Sequence, residues 1–111
     1  MTVLNLFTSQ FANIDMKPSE ALTRNRVALR AIVLNHRARN PRVFGSVLSG
    51  CDTDESDLDI LVEPTADTSL MDIAAIQVEA ENLLGLRVDV LTPKSLPARF
   101  RERVLREAQP V

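Results

Sequence analysis

The segment Asp57–Glu63 constrains the fold of this chain most strongly. It reads Asp-Leu-Asp-Ile-Leu-Val-Glu and is followed by a proline, a composition that predicts a strand. Because successive side chains of a strand point to opposite faces, Asp57 and Asp59 would share one face and Leu58 the other. The chain is therefore expected to form a sheet that buries one face of this strand and places two carboxylates side by side on the opposite face.

Paired carboxylates suggest a cation site. Left unpaired they repel each other and one tends to hold its proton, a cost that a divalent cation removes. Ligands that are all oxygen favour magnesium or manganese over zinc. Asp89 offers a third carboxylate within the apolar segment Leu86–Leu91, where an unpaired charge is costly to bury. Arg87 shares strand parity with Asp89, so a simple salt bridge is the alternative. The predicted catalytic and metal-binding residues are Asp57, Asp59 and Asp89.

A Gly-Ser pair precedes these carboxylates. Gly45 permits a tight turn and close approach to a ligand, and Ser46 offers a hydroxyl and backbone N–H groups to phosphate oxygens. Such a pair alone is more typical of an ordinary turn. Its value lies in its spacing, since ten residues separate Ser46 from Asp57. The predicted nucleotide-binding residues are Gly45, Ser46, Ser49 and Ser56.

Hydrophobic periodicity and helix stop signals predict three helices and three strands. The predicted helices span Pro18–His36, which Asn40-Pro41 follows as a stop, Ser69–Leu84 and Pro97–Ala108. The predicted strands are Arg42–Ser46, Asp57–Glu63 and Leu86–Leu91. The last helix is expected to carry one apolar face formed by Phe100, Val104, Leu105 and Ala108.

Composition and charge narrow the class of protein. A length of 111 residues with 45% hydrophobic residues suits one small domain. With one cysteine, Cys51, no intramolecular disulfide can form; no export signal or membrane-spanning stretch is evident, so a cytoplasmic location is expected. All thirteen basic residues lie outside residues 43–86, which hold ten carboxylates, and most of these are expected to form a solvated acidic face. The net charge of −2 and the glutamates among the C-terminal arginines argue against direct nucleic-acid binding.

The motif Gly45-Ser46, ten residues, then Asp57-x-Asp59 resembles the signature of the DNA polymerase beta-like nucleotidyltransferase superfamily, particularly its minimal, MntA-type members. The resemblance extends over residues 41–108 and includes Val-Asp-Val-Leu-Thr-Pro around Asp89 and the arginine-rich last helix. It implies an α+β fold, a small mixed β-sheet of about three strands packed with helices. Residues 17–111 would form the domain, and residues 1–16 an N-terminal extension that covers the core or meets a partner.

The resemblance also implies an activity. Asp57 and Asp59 would ligate two Mg²⁺ ions (Mn²⁺ is the alternative), and Asp89 would ligate the catalytic ion and accept a proton from the acceptor hydroxyl. Gly45 and Ser46 would hold the triphosphate. The protein would transfer AMP from ATP to a tyrosine of a co-encoded, helical HEPN-domain ribonuclease toxin, and so act as an antitoxin.

One departure from the family pattern concerns the turn. The family commonly reads Gly-Ser-x-Ala-Arg-Gly, whereas here Leu48 and Ser49 replace the alanine and arginine. Ser49 brings no charge to a phosphate, so triphosphate affinity or catalysis would weaken unless Arg42, Arg87 or a partner's side chain replaces the arginine. Two other functions therefore stay open: a catalytically weak or inactive antitoxin or binding module, and a transferase acting on a small molecule or RNA.

Overall fold

A four-stranded sheet with helices packed on it forms the part of the chain that the computed structural model describes, residues 17–111. The predicted N-terminal extension, residues 1–16, lies outside the described residues. The elements in chain order are α1 (Pro18–Asn35), β1 (Ala38–Phe44), α2 (Ser46–Ser49), β2 (Leu58–Pro64), α3 (Leu70–Leu84), β3 (Val88–Leu91), a 3₁₀ turn (Pro93–Ser95), α4 (Ala98–Glu107) and β4 (Gln109–Pro110).

The sheet is mixed, with the strand order β3-β2-β1-β4. Strands β2 and β3 are parallel, and β1 is antiparallel to both of its neighbours. The predicted α+β class and mixed sheet are confirmed, but the sheet has four strands rather than about three. The additional strand, β4, has two residues, which is too short to show the alternation that predicts a strand.

The main core lies between the sheet and the helices α1 and α3. Leu58 and Ile60 of β2 are fully buried there, as the alternation of the Asp57–Glu63 segment predicts. The helices contribute buried residues at helical spacing, namely Leu22, Leu29, Val33, Ile76, Ala80 and Leu84. On the opposite face of β2, Leu61 is also fully buried, whereas Asp59 and Glu63 are only partly buried.

Helix α3 begins and ends close to the predicted residues. The Ser69 hydroxyl accepts a hydrogen bond from the Asp72 N–H at 3.1 Å, and the Asp72 carboxylate accepts one from the Ser69 N–H at 2.8 Å. Such a reciprocal pair satisfies N–H groups that have no partner within the helix. The Ser69 N–H, with Arg37 nearby, lowers the pKa of Asp72. Gly85 ends the helix with φ of +70°, as glycine commonly does.

The predicted boundary between α1 and β1 is wrong. The chain leaves the helix after Asn35, and Arg37 adopts a positive φ of 64°, so β1 begins at Ala38 and includes Asn40-Pro41. Proline is tolerated because the pairing of β1 with β2 is irregular there, between Arg39 and Arg42, and a strand proline is confined to edges or bulges. His36, the last residue of the predicted helix, is the C-cap residue of α1 and hydrogen-bonds to Glu79.

Helix α4 carries three of the four predicted apolar residues, because it ends at Glu107 before Ala108, and none of its residues is buried. Arg101 attaches the helix to the preceding turn, donating hydrogen bonds of 2.9, 3.2 and 2.8 Å to the carbonyls of Pro93, Lys94 and Leu96. Phe100 is 37% exposed. The apolar face of α4 is thus open to a cleft rather than packed in the core. Within residues 17–111, the helices are all too short or too polar to cross a membrane.

Candidate active site

The sheet places two of the three predicted aspartates side by side. Asp59 of β2 and Asp89 of β3 are direct partners in the parallel register, so their side chains share one face. Asp57 immediately precedes β2 and has the same strand parity as Asp59. All three carboxylates therefore lie at the N-terminal ends of the two parallel strands, where the antiparallel strand β1 ends.

Asp59 is the electrostatic centre of this group. Partial burial raises its pKa from 3.8 to about 6, and the neighbouring charges of Asp89 and Asp57 contribute to the rise. Both causes disfavour the ionised form, and both would be offset by a bound cation. The metal-free fold thus disfavours ionisation of Asp59.

The three carboxylates are near neighbours but do not form a closed cage. Among residues 17–111, no three Asp, Glu, His or Cys side chains lie close enough to make a preassembled metal site. Asp57 Oδ1 lies 4.0 Å from Arg87 Nε; the Arg87 side chain is 83% exposed and the Asp57 side chain 41% exposed. The alternative ion pair of Arg87 therefore involves Asp57 rather than Asp89. Because like charges repel, a tighter cluster needs a cation, and three carboxylates supply the oxygen ligands that Mg²⁺ prefers.

Gly45 positions the turn against Asp59. Its φ is +82°, a conformation that residues with a side chain rarely adopt. A Cβ atom at this position would lie 2.5 Å from Asp59 Oδ2, which is far inside van der Waals contact. Glycine is therefore required at position 45 for two reasons: the backbone conformation and the lack of space for a side chain beside the Asp59 carboxylate.

The residues after Gly45 form the one-turn helix α2. The N–H groups of Leu48 and Ser49 both donate to the Gly45 carbonyl, at 3.1 and 3.2 Å. The Ser49 hydroxyl donates to the Ser46 carbonyl at 3.2 Å. Ser46 thus stands at the start of a short helix, whereas the predicted strand Arg42–Ser46 included it.

A cleft of about 670 Å³ adjoins the turn. Gly45, Ser46 and Ser49, three of the four predicted nucleotide-binding residues, line one wall together with Phe44 and Leu48. The facing wall belongs to α4 and consists of Phe100, Arg103, Val104 and Glu107. The cleft combines apolar surface, hydroxyl groups, the Arg103 guanidinium and the Glu107 carboxylate. The first three suit a ligand with both flat apolar and anionic parts.

Ser56, the fourth predicted nucleotide-binding residue, does not line this cleft. Its hydroxyl accepts a hydrogen bond from the Thr53 N–H at 2.9 Å, and its own N–H donates to the Thr53 carbonyl at 3.0 Å. Ser56 closes a turn in the connection that delivers Asp57 to the site.

Asp52, a residue that the sequence reasoning missed, fixes the position of this connection. It is buried, and its carboxylate accepts a hydrogen bond of 3.0 Å from the Ser19 N–H at the start of α1. Burial alone would raise the pKa of Asp52, but the hydrogen bonds from Ser19 lower it below its usual value. An anion is favourable at a helix N-terminus. The two partners are 33 positions apart in the sequence, so no local pattern indicates the contact.

The carboxylates paired across parallel strands, the glycine turn and the open cleft agree with the resemblance of the sequence to nucleotidyltransferases. The nucleotidyltransferase domain model matches residues 39–111, and the chain belongs to this family. It is a minimal nucleotidyltransferase of the MntA type, as the comparisons with individual proteins indicate.

Two archaeal relatives have similar sequences. MJ0435 of Methanocaldococcus jannaschii, provisionally named a protein adenylyltransferase, is 39% identical over 77 residues, which cover 69% of this chain and 83% of the relative. The protein adenylyltransferase MntA of Thermococcus cleftensis is 42% identical over 65 residues, covering 59% of this chain and 66% of the relative.

Solved structures share the fold. One, provisionally described as a minimal nucleotidyltransferase, superposes with a TM-score of 0.75 at 42% identity, over 84% of this chain and 95% of its own. A toxin-antitoxin structure with AMP-PNP superposes with a TM-score of 0.63 at 17% identity, over 78% of this chain and 69% of that one. At that identity the second likeness concerns the fold alone.

Proposed function

We propose that this protein transfers AMP from ATP to a hydroxyl group of a partner protein in a reaction that requires Mg²⁺, or Mn²⁺ in its place. The partner is a co-encoded HEPN-type ribonuclease toxin, the acceptor is one of its tyrosines, and the modification makes this chain the antitoxin. The protein adenylyltransferase names of the relatives support the reaction, and the MntA type to which the chain belongs supports the partner.

The observation that carries this proposal is the pairing of Asp59 with Asp89 beside Gly45. It places two carboxylates next to the turn that lines the cleft, so a nucleotide seated there would have its phosphates near the cation-binding oxygens. Bound Mg²⁺ would neutralise phosphate charge as pyrophosphate leaves. Asp57 and Asp59 would hold the ions, and Asp89 would share in holding one of them.

The residues of this chain position the reactants for an in-line displacement. The acceptor oxygen forms a bond to the α-phosphorus, while the bond from that phosphorus to the oxygen bridging to the β-phosphate breaks and pyrophosphate leaves with the electron pair. Asp89 takes the proton of the hydroxyl. Because Asp89 is exposed, it can pass that proton on to solvent.

The openness of the site supports a macromolecular acceptor. Strand β3 is an edge strand, and no described element covers Asp89. A hydroxyl on the surface of a folded protein can therefore approach this edge without entering a closed pocket. A transferase for a small molecule would need further surface to enclose its acceptor.

Labelling of a co-expressed partner tests this function. ATP carrying a label on the α-phosphate is incubated with the complex, with and without Mg²⁺, beside the variant Asp57→Asn/Asp59→Asn. We expect labelling of the partner that requires the metal and is lost in the variant. A stable complex that is never labelled would contradict the enzymatic function and favour the inactive binding module. Labelling of added RNA or small molecules instead of the partner would favour the remaining alternative.

A further inference from the structure

The nucleotide-binding turn lacks a cation of its own. Positions 48 and 49 are Leu48 and Ser49, and the residues from Phe44 to Ser49 contain no basic side chain. A triphosphate carries several negative charges, so a wall made only of hydroxyl and backbone groups leaves them partly uncompensated. A cation that compensates these charges would have to reach the cleft from another element.

The two arginines that sequence reasoning proposed as replacements do not line the cleft. The Arg42 Nη2 atom donates to Glu63 at 3.0 Å, and 16% of the Arg42 side chain is exposed. Arg87 lies beside Asp57 at 4.0 Å. The Arg101 side chain of α4 already donates three hydrogen bonds to carbonyls of the preceding turn, so it is not available to a ligand in the cleft.

Arg103 is the single basic residue among the described residues that line the cleft. It belongs to the wall that α4 forms opposite Gly45, Ser46 and Ser49. Its Nε atom lies 3.7 Å from Glu107 Oε1, and the two side chains are 70% and 56% exposed. An exposed ion pair of this kind contributes little, about 0.3–0.5 kcal/mol between positions i and i+4. The guanidinium is therefore free to exchange Glu107 for a phosphate, whose oxygens it can bind in bidentate fashion.

We propose that Arg103 binds the terminal phosphates of the nucleotide from α4 and supplies the positive charge that the turn lacks at Ser49. This inference rests on the proposed function, because it assumes that the cleft receives ATP. It makes α4 part of the nucleotide site rather than a helix that only packs on the domain. Glu107, the present partner of Arg103, would oppose phosphate binding when Arg103 is removed.

Equilibrium binding of a non-hydrolysable ATP analogue with Mg²⁺, compared with binding of AMP, tests the role of Arg103. We expect Arg103→Ala to weaken binding of the analogue by about 10-fold or more, as loss of one charge-assisted hydrogen bond would, and to leave AMP binding nearly unchanged. Arg106→Ala is the matched control, since it removes the same charge from an exposed position of α4 that does not line the cleft. It is expected to bind like the wild type.

Two further variants separate phosphate binding from a structural role. Ser49→Arg added to Arg103→Ala is expected to restore affinity, because it returns an arginine to the turn. Glu107→Gln removes the ion pair but keeps the guanidinium, so affinity should be unchanged or higher. Equal affinities of Arg103→Ala and Arg106→Ala, or a loss in Glu107→Gln as large as that in Arg103→Ala, would overturn the role of Arg103 alone. Failure of the wild type to bind the analogue would overturn nucleotide binding and this inference with it.

Discussion

The substitution Asp59→Asn should make the metal-free protein more stable at neutral pH. The fold holds this carboxylate where its pKa is about 6 instead of 3.8, so ionisation at pH 7 works against folding. Each pH unit of that difference corresponds to about 1.4 kcal/mol, which sets an upper bound of about 3 kcal/mol. Water reaches the half-buried carboxylate and screens its neighbours, which reduces the expected gain to about 1–2 kcal/mol. Asparagine has the same shape and removes the charge.

The raised pKa of Asp59 also determines how the stability of the protein should change with pH. Between about pH 4 and pH 6 the folded protein binds more protons at Asp59 than the unfolded chain, so stability falls as the pH rises through this window. Below about pH 4 both states are protonated at this residue and the penalty is absent. The advantage of Asp59→Asn should therefore be present at pH 7 and disappear near pH 4.

Thermal unfolding in EDTA, at pH values from 4 to 7.5, measures the effect. For a domain of this size, a gain of about 1–2 kcal/mol raises the Tm by roughly 4–10 °C. Asp54→Asn makes the same chemical change at an exposed carboxylate and should have little effect. When Mg²⁺ replaces EDTA, the Tm of the wild type should rise, since an ion that binds only the folded state stabilises it. The Tm of Asp59→Asn should rise much less. A wild type as stable as Asp59→Asn at pH 7, with parallel pH curves, would refute the reasoning.

Other predictions follow from the turn and its connection. Gly45→Ala should destabilise the protein by more than the roughly 1–3 kcal/mol of a strained backbone, because φ of +82° and ψ of −149° are accessible essentially to glycine alone. It should also abolish stabilisation by Mg²⁺, because the new Cβ meets Asp59. Gly50→Ala, with φ of +75° and open space, should show the backbone cost alone in the same thermal unfolding assay; equal losses would contradict the clash. Asp52→Ala should cost about 1 kcal/mol at pH 7 in urea unfolding through loss of the Ser19 contact. That cost should vanish as the pH falls through the lowered pKa of Asp52 and both states are protonated; a cost that persists at acid pH would contradict the charge's role.

Local patterns predicted most of the fold. The alternation in Asp57–Glu63 and the Ser69 and Gly85 signals at the ends of α3 depend on neighbours in sequence, and the structure has them within one or two residues. The start of β1 was missed because Asn40-Pro41 is a stop signal locally, while the bulge that accommodates it depends on pairing with β2. The two-residue strand β4 likewise exists only through its contact with β1.

The candidate site was likewise predicted in part, where its residues are marked by local sequence patterns. The motif and strand parity predicted which aspartates would be neighbours, although their use as metal ligands stays a prediction. Two features could not be predicted in this way, the Asp52–Ser19 contact and the place of Arg103 in the cleft. They depend on how α1 and α4 pack against residues far away in the sequence, and hydrophobic periodicity carries no information on such contacts. Three of the four apolar residues predicted for α4 lie in the helix, and two of them, Phe100 and Val104, line the cleft. Spacing alone does not distinguish a face that enters the core from one that faces a ligand cleft.

The most direct test of the central claim compares two ATP molecules, one labelled on the α-phosphate and one on the γ-phosphate, with the complex of this protein and its partner in Mg²⁺. Nucleotidyl transfer predicts that the α-label becomes attached to the partner, that the γ-label leaves in pyrophosphate, and that both signals disappear with EDTA. Attachment of the γ-label would show phosphoryl transfer and contradict the account, and attachment of neither label would contradict transfer altogether.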